Sequence, residues 1–128
     1  MCGIAGIMTS HGGTPDQAVL DALAKALIHR GPDGGGQYRA GDTAMVHRRL
    51  AVIDLATGDQ PIVIKNGPAL IANAEIYNYR ELARDLGDTP QMTRSDCEPP
   101  LHLFLRHFGM KTQQFSFCGA RLCATCPP

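Results

Sequence analysis

The sequence predicts an α+β fold. Two observations carry this. Strand-like and helix-like segments follow one another in mixed order, and a β-branched run, Asn66-Gly67 and a second apolar run read together as a β-hairpin. A third observation sets the scale: 128 residues, 44% of them hydrophobic, supply one core but not two.

Residues 2–8, "CGIAGIM", are small or branched, apolar and uncharged, and predict a central strand buried on both faces. "SHGG" at 10–13 is a turn. Thr14, Pro15 and Gln17 combine an N-cap, a first-turn proline and a capping-box partner. Val19, Leu23 and Leu27 follow at four-residue spacing, so 15–28 is an amphipathic helix. Residues 29–38, "HRGPDGGGQY", read as a Gly-rich loop in which Pro32 forbids helix continuation. Residues 42–55 are strand-like in two pieces, "ATGD" is a turn, and 61–77 form the hairpin. Asn78 can cap a helix bearing Tyr79, Leu82 and Leu86, ended by Gly87. Ser95 and Glu98 read as a capping box for a helix over 96–108 with Leu101, Phe104, Leu105 and Phe108 as its apolar stripe. Residues 110–128 show neither period and contain no acidic residue.

Composition excludes several classes. Twelve basic and twelve acidic residues balance, giving no electrostatic case for nucleic acid or an anionic membrane. No apolar run approaches membrane-spanning length, and the start lacks a signal-peptide pattern, which predicts a cytoplasmic protein with reduced thiols. Cys118, Cys123 and Cys126 have C-x₄-C-x₂-C spacing, overlapping one iron–sulfur pattern, but a fourth ligand would have to be distant, so no metal site is expected.

Cys2 is the first residue once Met1 is removed. A thiol with a reference pKa of about 8.5 and an α-amine of about 7.7–8 then share one residue, joining nucleophile and base. Arg49 offers a planar fork suited to a carboxylate, and Glu75 and Asp96 offer acceptors for an ammonium. Asn73, expected where a strand meets a turn, can donate to an oxyanion together with the Ala74 N–H. Each taken singly also reads as an ordinary surface charge, turn residue or small buried hydrophobe.

"MCGIAGIM", "HRGPDGGGQY", "HRRLAVIDLATGDQP", "NAEIYNYREL" and "TRSDCE", in this order, closely resemble the glutaminase domain of glutamine-dependent asparagine synthetase. That domain is a class II glutamine amidotransferase of the N-terminal-nucleophile hydrolase type. The resemblance covers 2–108 and implies an αββα sandwich, incomplete at its C-terminal end. It implies glutamine as substrate, Cys2 as nucleophile with its own amine as base, and Asn73 with Ala74 as the oxyanion donors. It further implies that Arg49 holds the glutamine carboxylate, Val52 and Ile53 line the pocket, and Glu75 and Asp96 hold the amino end. Loop Arg30–Asp33 matches a stretch packed beside the nucleophile. Ala74 departs from the family's usual glycine, which predicts strain if the turn needs positive φ.

Residues 109–128 lose the family pattern, as a shifted reading frame would produce. No cofactor is expected in this chain. ATP and magnesium belong to the synthetase domain that follows in the family, and the intact family enzyme allows a homodimer. An inactive remnant, or a piece of a sister amidotransferase with another acceptor, is the alternative.

Overall fold

The computed structural model describes residues 1–108, and the tail with Cys118, Cys123 and Cys126 lies outside them. The described chain is a small α+β domain. Three strands, β1 (Gly3–Met8), β2 (Gly34–Ala40) and β3 (Thr43–Arg49), make an antiparallel sheet in the order β1-β3-β2. Gly3 pairs with Arg48 and Met8 with Thr43, while Gly34 pairs with Arg49 and Ala40 with Thr43. The sheet centre is thus β3, and β1 is an edge strand whose side chains alternate between sheltered and exposed. The expected double-sided burial of β1 fails because its second edge and one face have no covering partner among the described residues. A short apolar run cannot report how many neighbours it will have.

The Gly-rich run 34–36, expected as a loop, is the start of β2. Its glycines make strand pairing possible rather than preventing it. A Cβ on Gly36 would lie 2.3 Å from the Gln60 carbonyl oxygen and 2.7 Å from Pro61 Cδ. Another segment crosses the strand here at backbone distance. Gly36→Ala will therefore destabilise the domain by about 1–3 kcal/mol, seen as a lower urea midpoint. An unchanged midpoint would show that the segment at Gln60 moves aside freely.

α1 (Gln17–Ala26) packs on one face of this sheet. Its cap is Asp16, not Thr14: the Asp16 carboxylate accepts from the Ala18 N–H at 2.8 Å. Leu20, rather than Val19, is the fully buried residue, enclosed with Ala44 and Val46 and flanked by Ala5, Ile7, Leu23 and Ala24. Four-residue spacing fits either stripe, and only the position of the sheet decides between them.

The hairpin forms at the expected turn but is shorter. β4 (Ile62–Val63) pairs with β5 (Ala69–Leu70), and Asn66 adopts the left-handed φ of +57° that an Asn-Gly turn favours. Residues 71–76 are not strand, so Asn73 sits in a loop rather than at a strand end. The second half of 42–55 also departs from strand. Asp54 takes φ +51°, and Arg49 bonds the carbonyls of Ile53 and Asp54, which winds the segment into turns.

α2 (Tyr79–Asp85) begins after Asn78, although the Asn78 side chain makes no cap bond. Gly87 follows α2 with φ +61°, as the helix end requires. α3 (Glu98–Phe108) packs behind the hairpin through Leu101, which shares a core with Ile62 and Cys97. Arg106 donates to the carbonyls of Asp85 and Leu86 and ties α3 to the end of α2. Along the stack, α1 covers one face of the three-stranded sheet. The Gln60–Pro61 segment approaches the other, and α3 lies beyond the hairpin.

Candidate active site

Cys2 is half-buried and immediately precedes β1. The sulfur is held by the chain that leaves β3: the Leu50 N–H donates to Cys2 Sγ at 3.3 Å, and the thiol lies 3.7 Å from the Leu50 carbonyl. This follows from the register, since pairing Gly3 with Arg48 brings residue 2 beside residues 49 and 50. Arg30 Nε donates to the Cys2 carbonyl at 3.2 Å. The 30–33 loop is itself fastened to the same place. Arg48 Nε donates to the Gly31 carbonyl at 3.1 Å, and Asp33 accepts from the Ala51 N–H at 2.9 Å. A Cβ on Gly31 would stand 2.3 Å from the Arg48 carbonyl carbon, so only glycine permits this closeness.

Arg49 is buried and already occupied. Nη1 pairs with Asp59 at 2.9 Å, while Nη2 donates to the Ile53 carbonyl at 3.1 Å and to the Asp54 carbonyl. The fork accepts a carboxylate, as its chemistry predicts, but here the carboxylate is the exposed Asp59. Val52 and Ile53 lie on the same loop and are exposed.

Asp96 is buried, and its Oδ2 accepts from the Ile76 N–H at 2.8 Å. That bond draws the 73–76 loop, with Asn73, Ala74 and Glu75 exposed on it, against the turn before α3. Glu75 accepts from the Tyr77 hydroxyl at 3.3 Å. Ala74 is not among the positive-φ residues, so the strain expected there is absent. Cys97, next to Asp96, is buried, and its thiol is pushed up to about 12 by burial first, then by the Asp96 charge. At neutral pH Cys97 stays a protonated thiol, leaving Cys2 as the accessible one of the two described cysteines.

One residue was read only as a cap and does more. Glu98 is fully buried, and its carboxylate accepts from the N–H groups of Met92 and Thr93, both at 2.6 Å, and from the Thr93 hydroxyl at 2.5 Å. It also bonds His102 at 3.0 Å. It fastens the 92–96 segment and with it Asp96. The spacing of Ser95 and Glu98 cannot separate a capping box from a carboxylate turned toward residues 92 and 93. The structure thus brings together Cys2, Leu50 and Arg49 on one side, and Glu75 and Asp96 on the other.

A family model described as a glutamine amidotransferase domain matches residues 1–116. The chain belongs to the glutamine amidotransferase domain family. The domain is 40% identical over 109 residues to an asparagine synthetase (glutamine-hydrolysing) of Asparagus officinalis, covering 84% of this chain and 18% of that protein. It is 41% identical over 106 residues to asparagine synthetase (glutamine-hydrolysing) 1 of Arabidopsis thaliana, covering 81% and 18%. A probable asparagine synthetase of Dictyostelium discoideum is 40% identical over 109 residues, covering 81% and 20%. The amidotransferase chain therefore spans about a fifth of the length of the curated relatives it matches. Among its described residues no helix is long and apolar enough to cross a membrane.

Proposed function

We propose that this domain hydrolyses the side-chain amide of glutamine. In an intact protein it would pass the ammonia to an ATP-dependent synthesis of asparagine from aspartate. The observation that carries the reading is the Cys2 sulfur held at 3.3 Å from the Leu50 N–H, beside the Arg49 segment. With Met1 removed, the Cys2 sulfur attacks the amide carbon, and its proton passes to the α-amine. Asn73 and the Ala74 N–H are the donors for the resulting oxyanion. The tetrahedral adduct collapses with loss of ammonia, which takes that proton, and leaves a γ-glutamyl thioester. The amine then takes a proton from water, hydroxide attacks the thioester, and glutamate and the free thiol are released. Arg49 receives the glutamine carboxylate in exchange for Asp59, and Glu75 and Asp96 face the ammonium. The packing order of helix, sheet, hairpin and helix supports an αββα sandwich of the N-terminal-nucleophile type.

Cys2→Ala will lower glutamate release from glutamine by about 10³-fold or more, measured on protein whose mass confirms loss of Met1. Equal release by Cys2→Ala and wild type would overturn the assignment. So would no release by a natively folded wild type with a free Cys2 amine.

A further inference from the structure

We propose that a cleft between α2 and residues 91–95 binds a multiply charged oxyanion of the phosphate type. The cleft has a volume of about 400 Å³, and Arg80, Arg84 and Arg94 line it. Its lining contains no acidic residue, and none of Cys2, Arg49, Asn73, Glu75 or Asp96 belongs to it. Its wall ends at Ser95, one residue before Asp96, so the cleft lies on the outer side of the segment that carries Asp96.

Three arginines lining one small cleft need an explanation. The ion pairs of the described residues are Arg49 with Asp59 and His102 with Glu98, so none of the three is neutralised by a carboxylate there. Glu81 and Asp85 on α2 form no ion pair with these arginines among the described residues, and three further carboxylates are engaged elsewhere. Glu98 takes the backbone of Met92 and Thr93, Asp96 takes the Ile76 N–H, and Asp54 takes Thr57 and the Arg94 N–H. Arg80 and Arg84 stand four apart on the seven-residue α2, on the side that lines the cleft. Arg94 enters from the opposite wall, its backbone fixed by the bond to Asp54 at 2.9 Å.

The fork of an arginine matches two oxygens of a phosphate group, and three forks from two walls match an anion with several charges. The remaining lining is mostly polar, with Gln91, Thr93 and Ser95, and the Tyr79 hydroxyl accepts from Arg80 Nε at 3.2 Å. The volume lies in the range of small-molecule sites.

The test is calorimetric titration of the full 128-residue chain with pyrophosphate, inorganic phosphate and citrate at matched ionic strength. The variants are Arg84→Gln and Arg94→Gln, with Lys65→Gln, on the distant hairpin, as comparator. Circular dichroism confirms folding of each; all three replaced residues are exposed. Saturable one-site phosphate or pyrophosphate binding is expected, weakened about tenfold by either arginine variant and unchanged by Lys65→Gln. Tighter pyrophosphate than phosphate binding assigns the cleft to a phosphate chain, and equal binding assigns it to a single group. Absence of saturable binding would overturn the proposal. So would equal weakening by Lys65→Gln, or citrate binding as tightly as pyrophosphate.

Discussion

Glu98→Ala will destabilise the domain by about 3–5 kcal/mol, measured as the shift in urea unfolding at neutral pH. The residue is 0% exposed, and its carboxylate satisfies two backbone N–H groups, a hydroxyl and the His102 ring. Alanine leaves those partly buried donors without their acceptor and empties a fully buried side-chain volume. Burial alone pushes the Glu98 carboxyl up. The bonds from Thr93, His102 and Met92 outweigh it and hold the group below the usual carboxylate range. A depressed value means that the stabilisation is present above the ordinary glutamate pKa and is lost as pH falls through the folded value.

The same substitution separates a structural from a positioning role. Glu98 anchors Met92 and Thr93, and the chain runs from there through Ser95 to Asp96. Glu98→Gln keeps the shape and part of the accepting capacity, so it will fold better than alanine while raising KM for glutamine more than it lowers kcat. An unchanged urea midpoint in Glu98→Ala would contradict the first claim. A glutamine KM in folded Glu98→Gln equal to that of wild type would contradict the second.

Acid will destabilise the domain through His47 before most carboxylates protonate. His47 on β3 is 1% exposed, and neither ring nitrogen has a hydrogen-bond partner of good geometry among the described residues. Burial is the main cause that pushes its pKa down to about 4, with Arg49 and Arg48 adding to it, while the Ala72 carbonyl and Asp59 oppose. The unfolded chain takes up the proton near 6.5 and the folded chain near 4. Stability is therefore full above the unfolded value and falls between the two. From about pH 7 to about pH 4.5 the loss amounts to about 2–3 kcal/mol. His47→Leu removes the titrating group from the same volume, and its stability will be flatter by that amount over the same window. Parallel curves for wild type and His47→Leu would refute the assignment.

Local chemistry was legible wherever a signal closes within a few residues. The Asn66-Gly67 turn, the helix end at Gly87 and the apolar stripe that buries Leu101 all depend on neighbours in the chain. The cap of α1 was misplaced by two residues because Thr14 and Asp16 are equally good acceptors, and only the direction of chain entry selects Asp16. The nucleophile was legible from its position beside Met1, and Arg49 from its fork. What holds Arg49 was not, since Asp59 reaches it only after Asp54 has turned the chain.

By itself, then, the sequence determined an α+β chain with a cysteine at position 2 and the residue types of an amino-acid pocket in a recognisable order. Periodicity, turn residues and side-chain chemistry are local properties, and they survive reading one residue at a time. The tertiary structure alone decided that glycines 34–36 form a strand, that β1 is an edge and that Glu98 faces inward to the 92–93 backbone. It also decided that Asp96 takes the Ile76 N–H and so sets the loop that carries Asn73 and Glu75. Those outcomes depend on which distant backbone approaches to within van der Waals distance and which buried donors then need acceptors. Neither is encoded in any short window of the chain.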